Sequence, residues 1–272
     1  MEFRTPVKVE KPTFQIEPLE PLLLVGSCFA DSIGRRFQEE RFPTIVNPYG
    51  VMYNPASILH TVERTDAAPR VAFFTLGTNH VYRLKETGQI VDNCQKRPQR
   101  LFDEELLSID QCVDFLSAAV DILIQRNGDV NIVLTVSPIR YAKYGFHGSQ
   151  LSKATLLLAA DAMTRKYECV HYFPAYEIVL DELRDYRFYQ PDMLHPSQQA
   201  VEYIWTLFGD AFFSNRAKDF LKEWEPIKLA LAHRPFNPDS EEYKSFLAQT
   251  RQKEAALLSR FSAGTAPGFA SP

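Results

Sequence analysis

Residues 22–30 of the chain read LLLVGSCFA, an apolar run that ends at a glycine and a serine. The run Leu22–Val25 predicts a buried strand, and a helical spacing of apolar residues follows from Asp31 to Glu40. A strand that stops at Gly26 and turns into a helix leaves the Ser27 hydroxyl at its carboxyl end, where open α/β sheets bind ligands. Serine at such a turn is also a common helix cap, and this stretch alone favours the cap.

Three further short apolar runs are typical of buried strands, and helical patterns separate them. The runs are Val71–Leu76, Asn131–Val136 and Cys169–Phe173. Apolar residues recur at helical spacing over residues 56–64, 103–126, 151–167, 198–213 and 241–261. Strands that are apolar on both faces and alternate with helices predict a parallel sheet covered on both sides. We therefore predict an α/β fold, a three-layer α/β/α sandwich with a central, mainly parallel sheet.

The remaining segments predict one small insertion and two terminal extensions. Residues 81–84 and 89–93 flank a turn with Gly88, a pattern typical of a β-hairpin, so a hairpin insertion is expected near residues 80–95. Residues 1–20 are rich in proline and charge and predict an extended lead-in anchored by Phe14 and Ile16. We predict a single domain over residues 1–261 and a flexible tail over residues 262–272.

The composition of the 272-residue chain excludes several classes of function. Its net charge of -4 leaves no basic surplus, so no nucleic-acid partner is expected. No apolar run approaches the ~20 residues that span a bilayer, and the charged, proline-broken N-terminus is unlike a signal peptide. A cytoplasmic location without membrane contact is therefore expected. No G-x-G-x-x-G or P-loop follows a predicted strand, which disfavours a nucleotide-binding domain, and no cofactor is predicted. The oligomeric state is left open.

Four cysteines are scattered along the chain. Cys28, Cys94, Cys112 and Cys169 show no C-x-x-C spacing, so neither a zinc site nor a disulfide framework is expected, and no metal is predicted. Cys28 follows Ser27 directly and is a competing nucleophile, because a thiolate needs less activation than a hydroxyl. At the start of a helix, however, Cys28 is interpreted first as a small buried residue.

A carboxylate and an imidazole stand three residues apart late in the sequence. Asp192 and His195 lie just before a predicted helix, and with Ser27 they give the chain order Ser…Asp…His of one acyl-transfer triad. At this spacing the carboxylate can accept the Nδ1 proton of the imidazole, leaving Nε2 to take a proton from the serine hydroxyl. A lone D-x-x-H is short and common, and by itself it indicates only a surface histidine beside a turn residue.

Residues 26–30, GSCFA, carry a resemblance to the GSCFA family, which is similar to the SGNH/GDSL esterases. The resemblance continues in NPYG and YNP (residues 47–50 and 53–55), TLGTN (75–79), LTVSPIR (134–140) and DMLHP (192–196). It covers about residues 20–210. It implies an SGNH/flavodoxin-like form of the predicted sandwich. It also implies a serine esterase or acyl hydrolase that works through an acyl-enzyme intermediate.

Residue by residue, the resemblance implies Ser27 as the nucleophile, His195 as the general base and Asp192 as the residue that orients the base. The oxyanion hole would be formed by the backbone N–H of Ser27, the backbone N–H of Gly50 and the side-chain amide of Asn79. Such donors stabilise the negative charge that develops when a hydroxyl attacks an ester carbonyl.

The sequence departs from the SGNH/GDSL pattern at two positions. Gly26 stands where those proteins have an aspartate before the serine, and His80 stands where their third block ends in aspartate. Asn47 or Asn54 could also replace Asn79 as the side-chain donor of the oxyanion hole. The pattern therefore leaves the choice of the amide open.

Five residues near the expected edge of the sheet are predicted to contact substrate. They are Asn47, Tyr53, Arg140, His147 and Tyr189. His147 is expected on a flexible loop after the third predicted strand, and Tyr189 precedes the Asp–His turn. Arg140 and Lys153 could meet an anionic group of the substrate or form ion pairs at the rim.

The function predicted from these residues is ester hydrolysis by a Ser–His–Asp triad, on short acyl esters that are small or carbohydrate-linked. Two alternatives stay open. The same groups would also catalyse acyl transfer to a sugar hydroxyl, because only the acceptor differs. The second alternative is a catalytically degenerate domain that binds a glycan or a protein partner, and the departure at Gly26 keeps it open.

Overall fold

The computed structural model describes residues 4–92 and 97–262 of the chain. The strands are β1 (Leu22–Gly26), β2 (Thr44–Val46), β3 (Val71–Leu76), β4 (His80–Leu84), β5 (Ile90–Val91), β6 (Phe102–Leu106), β7 (Asn131–Val136) and β8 (Val170–Tyr172). The helices are α1 (Cys28–Glu39), α2 (Pro55–Arg64), α3 (Ile109–Arg126), α4 (Gly145–Lys166), α5 (Ala175–Glu177), α6 (Gln198–Phe212), α7 (Asn215–Ala232) and α8 (Glu241–Ser262).

Five strands form the central sheet in the order β2-β1-β3-β7-β8, and every neighbouring pair is parallel. Successive side chains of a strand point to opposite faces. Leu22 and Leu24 therefore join the core cluster that contains α1, α6, α7 and α8. Leu23 and Val25 join the cluster that contains α2, α3 and α4. The predicted three-layer α/β/α sandwich with a parallel sheet is confirmed.

Gly26 allows β1 to end tightly against β3. Its backbone φ is +145°, and a Cβ atom at this position would lie 2.3 Å from the carbonyl oxygen of Thr75. The backbone N–H of Gly26 donates to Oδ1 of Asn47, 2.8 Å away. Only glycine fits here, because any side chain would push the two strands apart where β1 turns into α1.

The region predicted as a hairpin is larger than expected. β4 pairs antiparallel with β5 on one side and with β6 on the other, so the insertion is a three-stranded sheet. Residues 103–106 were predicted as the start of a helix, and this prediction is wrong. Arg83 of β4 pairs with Glu105 of β6 at 2.9 Å, and the helix begins only at Ile109 after a capping box at Ser108. Residues 93–96 of the insertion lie outside the described residues.

Other helix and strand boundaries also differ from the predicted ones. α1 begins at Cys28, three residues before the predicted start, and α4 begins at Gly145 rather than at residue 151. The fourth predicted strand shortens to Val170–Tyr172. β2 and α7 were not predicted. β2 is only three half-buried residues long, and α7 buries only Ala217, Phe220 and Trp224 and contains Pro226, which usually interrupts a helical pattern.

The C-terminal helices share the core of the sandwich. Trp224 of α7 is buried, and its indole Nε1–H donates to the carbonyl oxygen of Glu39, 2.9 Å away, at the last residue of α1. Lys228 lies 2.8 Å from the carboxylate of Glu40. These bonds attach α7 to the C-terminal end of the helix that begins at the GSCFA stretch.

The predicted lead-in is anchored as expected, since Phe14 and Ile16 are both buried. Ile16 exchanges backbone hydrogen bonds with Phe212 and Ser214, at 2.8 and 3.1 Å. Ser262 ends α8, and residues 263–272 of the predicted tail lie outside the described residues. Within the part of the chain that the structure describes, no helix is both long and apolar enough to cross a membrane.

Candidate active site

The candidate site lies at the carboxyl edge of the central sheet. β1, β3 and β7 are parallel neighbours, so Gly26, Leu76 and Val136 end at the same edge. With about 4.8 Å between adjacent strands, β1 and β7 lie only about 10 Å apart. Ligands of open α/β sheets bind outside this edge, because there the loops diverge and the helix N-termini face the ligand.

Asp192 and His195 form a hydrogen-bonded pair within one turn. Oδ2 of Asp192 lies 2.6 Å from Nδ1 of His195. Oδ1 accepts the backbone N–H groups of Leu194 and His195, at 2.9 and 3.0 Å. These two backbone donors, and then the imidazole, lower the pKa of Asp192 to about 2. Asp192 is therefore ionised at neutral pH and holds the Nδ1 proton, which leaves Nε2 free to accept another proton.

Arg140 attaches this turn to the end of β7. Its backbone N–H donates to the carbonyl oxygen of Leu194 at 3.0 Å, and its Nη1 donates to that of Met193 at 2.9 Å. Met193 has a φ of +58°, a backbone state that is uncommon for residues other than glycine. The tight turn and its two bonds to Arg140 thus hold the imidazole close to the sheet edge, with its side chain 37% exposed.

Arg140 and Tyr189, two of the predicted substrate contacts, lie together beside the turn. The guanidinium of Arg140 lies 5.4 Å from the centre of the Tyr189 ring. Both line a cleft of about 330 Å³, together with Gln150, Leu180 and Arg184. Its walls combine two guanidinium groups, the carboxylate of Asp185 and two tyrosine rings, which suits a polar ligand.

Ser27 is completely buried, with 0% of its surface exposed. Its Oγ accepts the backbone N–H of Phe29 at 3.2 Å and lies 3.1 Å from the Oγ1 of Thr75. Its backbone N–H donates to the carbonyl oxygen of Thr75 at 3.0 Å. Ser27 is thus the N-cap of α1, as the stretch alone favoured, and its hydroxyl faces β3.

Cys28 follows as the first residue of α1. Within residues 21–30 it is the one residue that is not buried. Its Sγ lies 3.9 Å from the hydroxyl of Tyr53, a predicted substrate contact. Burial, then the nearby thiol and Asp31, raise the pKa of Tyr53 to about 12, so its hydroxyl is a donor at neutral pH. The Tyr53 ring in turn packs edge-on against the ring of Tyr141, with 6.0 Å between ring centres.

The predicted oxyanion donors already have partners. The backbone N–H of Gly50 donates to the carbonyl oxygen of Asn47 at 2.8 Å. The amide Nδ2 of Asn79 donates to the carbonyl oxygen of Leu107 at 2.8 Å, while its Oδ1 is buried without a hydrogen-bond partner among the described residues. Their role in an oxyanion hole stays a prediction.

Asn47 and Asn54, the other two candidate amide donors, form hydrogen bonds at the two ends of the loop between β2 and α2. Nδ2 of Asn47 donates to Asp31 at 2.7 Å, while its Oδ1 accepts from Gly26 as described above. Oδ1 of Asn54 accepts the backbone N–H of Ser57 at 3.0 Å and caps α2. Asn47 therefore lies beside the turn between β1 and α1, where it orients the backbone rather than presenting a free amide.

The predicted environments of His147 and Lys153 are wrong. His147 lies in the first turn of α4, not on a flexible loop, and is exposed. Lys153 is 2% exposed and pairs with no carboxylate among the residues that the structure describes. Its Nζ donates to the carbonyl oxygens of Gly77 and Ser137, at 2.8 and 2.7 Å, at the ends of β3 and β7.

Burial in this apolar position lowers the pKa of Lys153 to about 7. A signal for its burial was present in the sequence, because Ser149, Lys153, Leu156 and Ala160 recur at helical spacing on the buried face of α4. The charge of the lysine concealed that pattern.

The structure describes three of the four cysteines, Cys28, Cys112 and Cys169, and each is free. Cys112 is buried, Cys28 and Cys169 are partly exposed, and Cys94 lies outside the described residues. Over residues 4–92 and 97–262, no group of three or more His, Cys, Asp or Glu side chains is placed to hold a metal ion.

Two solved structures illustrate what the chain is similar to. One is a carbohydrate esterase family 3 from Talaromyces cellulolyticus, at 11% identity and a TM-score of 0.45, over 75% of this chain and 98% of that one. The other is a catalytic mutant of an acetylxylan esterase from Geobacillus stearothermophilus, at 12% identity and a TM-score of 0.45, over 74% and 98% of the two chains. At these values the likeness does not identify the reaction of this chain.

No curated protein matches the chain. The model of the GSCFA family matches residues 21–72 and 66–208, which include the strand ends, the GSCFA stretch and the Asp–His turn described above. A second model, for the GSCFA domain protein, C-terminal domain, matches residues 224–264, within α7 and α8. The first match extends over more than half of the length of this chain. The chain therefore belongs to the GSCFA family.

Proposed function

We propose that this protein is an ester hydrolase that works through an acyl-enzyme intermediate, with His195 as the general base and Asp192 as the residue that orients it. The observation that carries the proposal is the 2.6 Å contact between Oδ2 of Asp192 and Nδ1 of His195. A carboxylate held by two backbone N–H groups and bonded to one ring nitrogen fixes the tautomer that acyl transfer requires.

The electrostatics support this assignment. The depressed pKa of Asp192 keeps a negative charge beside the ring across the neutral range. That charge stabilises the imidazolium that forms when Nε2 takes the proton of the nucleophile. The partly exposed ring can then return the proton to the leaving alcohol and next activate a water molecule.

The nucleophile comes from the turn between β1 and α1. Under the family resemblance it is Ser27, and the next residue, Cys28, presents a second candidate group at the same turn. Both groups can carry an acyl intermediate when an imidazole accepts their proton. The first turn of α1 also provides the positive end of a helix dipole for the developing oxyanion.

The proposed substrates are small or glycan-linked esters of short acyl groups. The cleft beside the Asp–His turn holds about 330 Å³ and is lined by Arg140, Arg184 and Tyr189, which suit a polar acceptor better than a long alkyl chain. Acyl transfer to a sugar hydroxyl uses the same groups and would appear as product formation that depends on an added sugar.

The proposal is tested by the hydrolysis of p-nitrophenyl acetate, butyrate and octanoate. We expect the acetate to react fastest, and His195→Ala to reduce turnover on the order of 10³–10⁴-fold. Asp192→Asn should reduce turnover in a protein that still folds, because the amide oxygen can still accept the backbone N–H groups of Leu194 and His195. The matched control is His233→Ala, because His233 is an exposed histidine at the end of α7. Equal background rates in all four proteins would contradict the proposal.

A further inference from the structure

From the different surroundings of Ser27 and Cys28, we infer that the acyl group is carried by the sulfur of Cys28, and that Ser27 is the cap of α1. The inference rests on the proposed function for the role of His195. Within residues 21–30 every side chain is buried except that of Cys28. A substrate that approaches the sheet edge at this turn therefore meets the thiol first.

The hydroxyl of Ser27 is held in place by the fold. It accepts the N–H of Phe29 and contacts Oγ1 of Thr75, and no part of the residue is exposed. To attack an ester it would have to give up the cap of α1 and rotate out of a buried position beside β3. A nucleophile needs its attacking atom open to the substrate and within reach of the base, and Ser27 lacks the first of these.

Cys28 has the surroundings of a reactive thiol. It is the first residue of a 12-residue helix, where the dipole favours negative charge. Its own backbone N–H has no acceptor inside α1, since the first N–H groups of a helix lack one. The Tyr53 hydroxyl, 3.9 Å from the sulfur, is a further donor that stays protonated at neutral pH.

A second, independent feature lies beside this thiol. The hydroxyl oxygen of Tyr141 is buried and has no hydrogen-bond partner among the described residues. It lies against the end of β3, because a Cβ atom on Gly77 would come within 2.3 Å of it. Burial, and then the neighbouring Tyr53 and Cys28, raise the pKa of Tyr141 well above its ordinary value. An unpaired donor at this position fits a ligand oxygen, such as that of an acyl carbonyl.

The reaction follows from these groups. Sγ of Cys28 bonds to the carbonyl carbon of the ester while its proton passes to Nε2 of His195. The bond between that carbon and the ester oxygen breaks, and the alcohol leaves with the proton from His195. Water then attacks the thioester and gives a proton to His195. The C–S bond breaks, a carboxylic acid leaves, and the proton returns to Cys28.

The first test examines the wild-type chain and needs no variant to fold. The protein is mixed with p-nitrophenyl acetate, quenched in acid and digested, and the acetylated peptide is located by mass spectrometry with and without neutral hydroxylamine. We expect acetyl on Cys28 that hydroxylamine removes, since it cleaves thioesters readily. Acetyl that resists hydroxylamine on Ser27 would overturn the inference and leave the proposed ester hydrolysis intact.

The second test measures thiol reactivity without an ester. Wild-type and His195→Asn proteins are alkylated with iodoacetamide at pH 7, and each cysteine is followed by peptide mapping. We expect Cys28 to react about tenfold faster than partly exposed Cys169, and this advantage to fall in His195→Asn. Equal rates for Cys28 and Cys169 in both proteins would overturn the inference.

The two tests separate the two proposals. Alkylation of Cys28 that depends on His195, in a protein that hydrolyses none of the three esters, would support the thiol–imidazole pair and contradict ester hydrolysis as the function. Turnover that is lost in Cys28→Ala and kept in Ser27→Ala would support both. Turnover that is kept in Cys28→Ala and lost in Ser27→Ala would overturn the assignment of the acyl group to Cys28. It would leave the proposed ester hydrolysis intact.

Discussion

The Nζ atom of Lys153 lies 2.8 Å from the carbonyl oxygen of Gly77, and it is buried beneath the edge of the sheet that bears the candidate site. A second carbonyl, that of Ser137, lies 2.7 Å from the same nitrogen. Both acceptors are uncharged carbonyl oxygens, to which the amine and the ammonium can each donate. Lys153 thereby joins the ends of β3 and β7. The Tyr141 hydroxyl lies against Gly77 at the end of β3, and the Asp–His turn is bonded to Arg140, which follows β7.

We expect the protein to become more stable as the pH rises from 7 to 9, because of Lys153. Burial lowers the pKa of Lys153 from 10.5 to about 7, so in this range the unfolded chain binds the proton and the folded chain does not. The free energy of unfolding should rise by up to about 1.4 kcal/mol per pH unit relative to Lys153→Met. Urea titrations at pH 7, 8 and 9 measure this difference. The same dependence of the free energy of unfolding on pH in both proteins would contradict this prediction.

We expect Gly26→Ala to disrupt the turn between β1 and α1. The new Cβ would lie 2.3 Å from the carbonyl oxygen of Thr75, so β1 and β3 would have to separate. The cost should be about 3 kcal/mol or more, from overpacking and backbone strain together. Thermal and urea unfolding provide the measurement. Gly128→Ala is the control, since nothing lies within 4 Å of a Cβ built at Gly128.

We expect Ser27→Ala to reduce stability more than activity. Loss of an N-cap costs about 1–2 kcal/mol, and here the contact with Thr75 is lost as well. The exposed cap Ser108, changed to alanine, serves as the comparison and should cost less. Urea unfolding and turnover per folded molecule give the two readings. Unchanged stability with complete loss of turnover would indicate a nucleophile instead of a cap.

We expect Arg140→Ala to lower kcat about tenfold by loosening the turn that carries His195. The guanidinium bond to Met193 would be lost, while the backbone bond to Leu194 would stay. Steady-state kinetics with p-nitrophenyl acetate measures the change. Arg165→Ala is the matched control, because Arg165 pairs with Asp161 on the exposed face of α4. A change in KM alone would show that Arg140 acts on substrate binding only.

The sequence was sufficient for the strands that are apolar throughout. Leu22–Val25, Val71–Leu76 and Asn131–Val136 are buried on both faces, and such runs leave little choice of structure. The strand at 102–106 has four exposed residues in five, and its pairing with β4 is set by partners about twenty residues away. Local periodicity does not contain that information, so Leu106 was assigned to the following helix.

The Asp–His contact could be predicted because both residues belong to one turn, where a spacing of three residues lets the carboxylate reach the imidazole. The burial of Ser27 was not predictable in the same way, since it depends on Thr75, which is 48 residues further along the chain. The same holds for Lys153, whose acceptors are the ends of two strands. The spacing of motifs in the sequence therefore predicts which reactive groups lie at the carboxyl edge of the sheet. Contacts between distant segments determine which of these groups is exposed.

The bond from the Trp224 indole to the carbonyl of Glu39 has a consequence for the opposite end of α1. With 12 residues at 1.5 Å each, the helix is about 18 Å long and behaves as a stiff rod. Cys28 is the first residue of this helix, and α7 is hydrogen-bonded to its last residue. The position of the Cys28 sulfur therefore depends partly on a contact made by residues almost 200 positions away in the sequence.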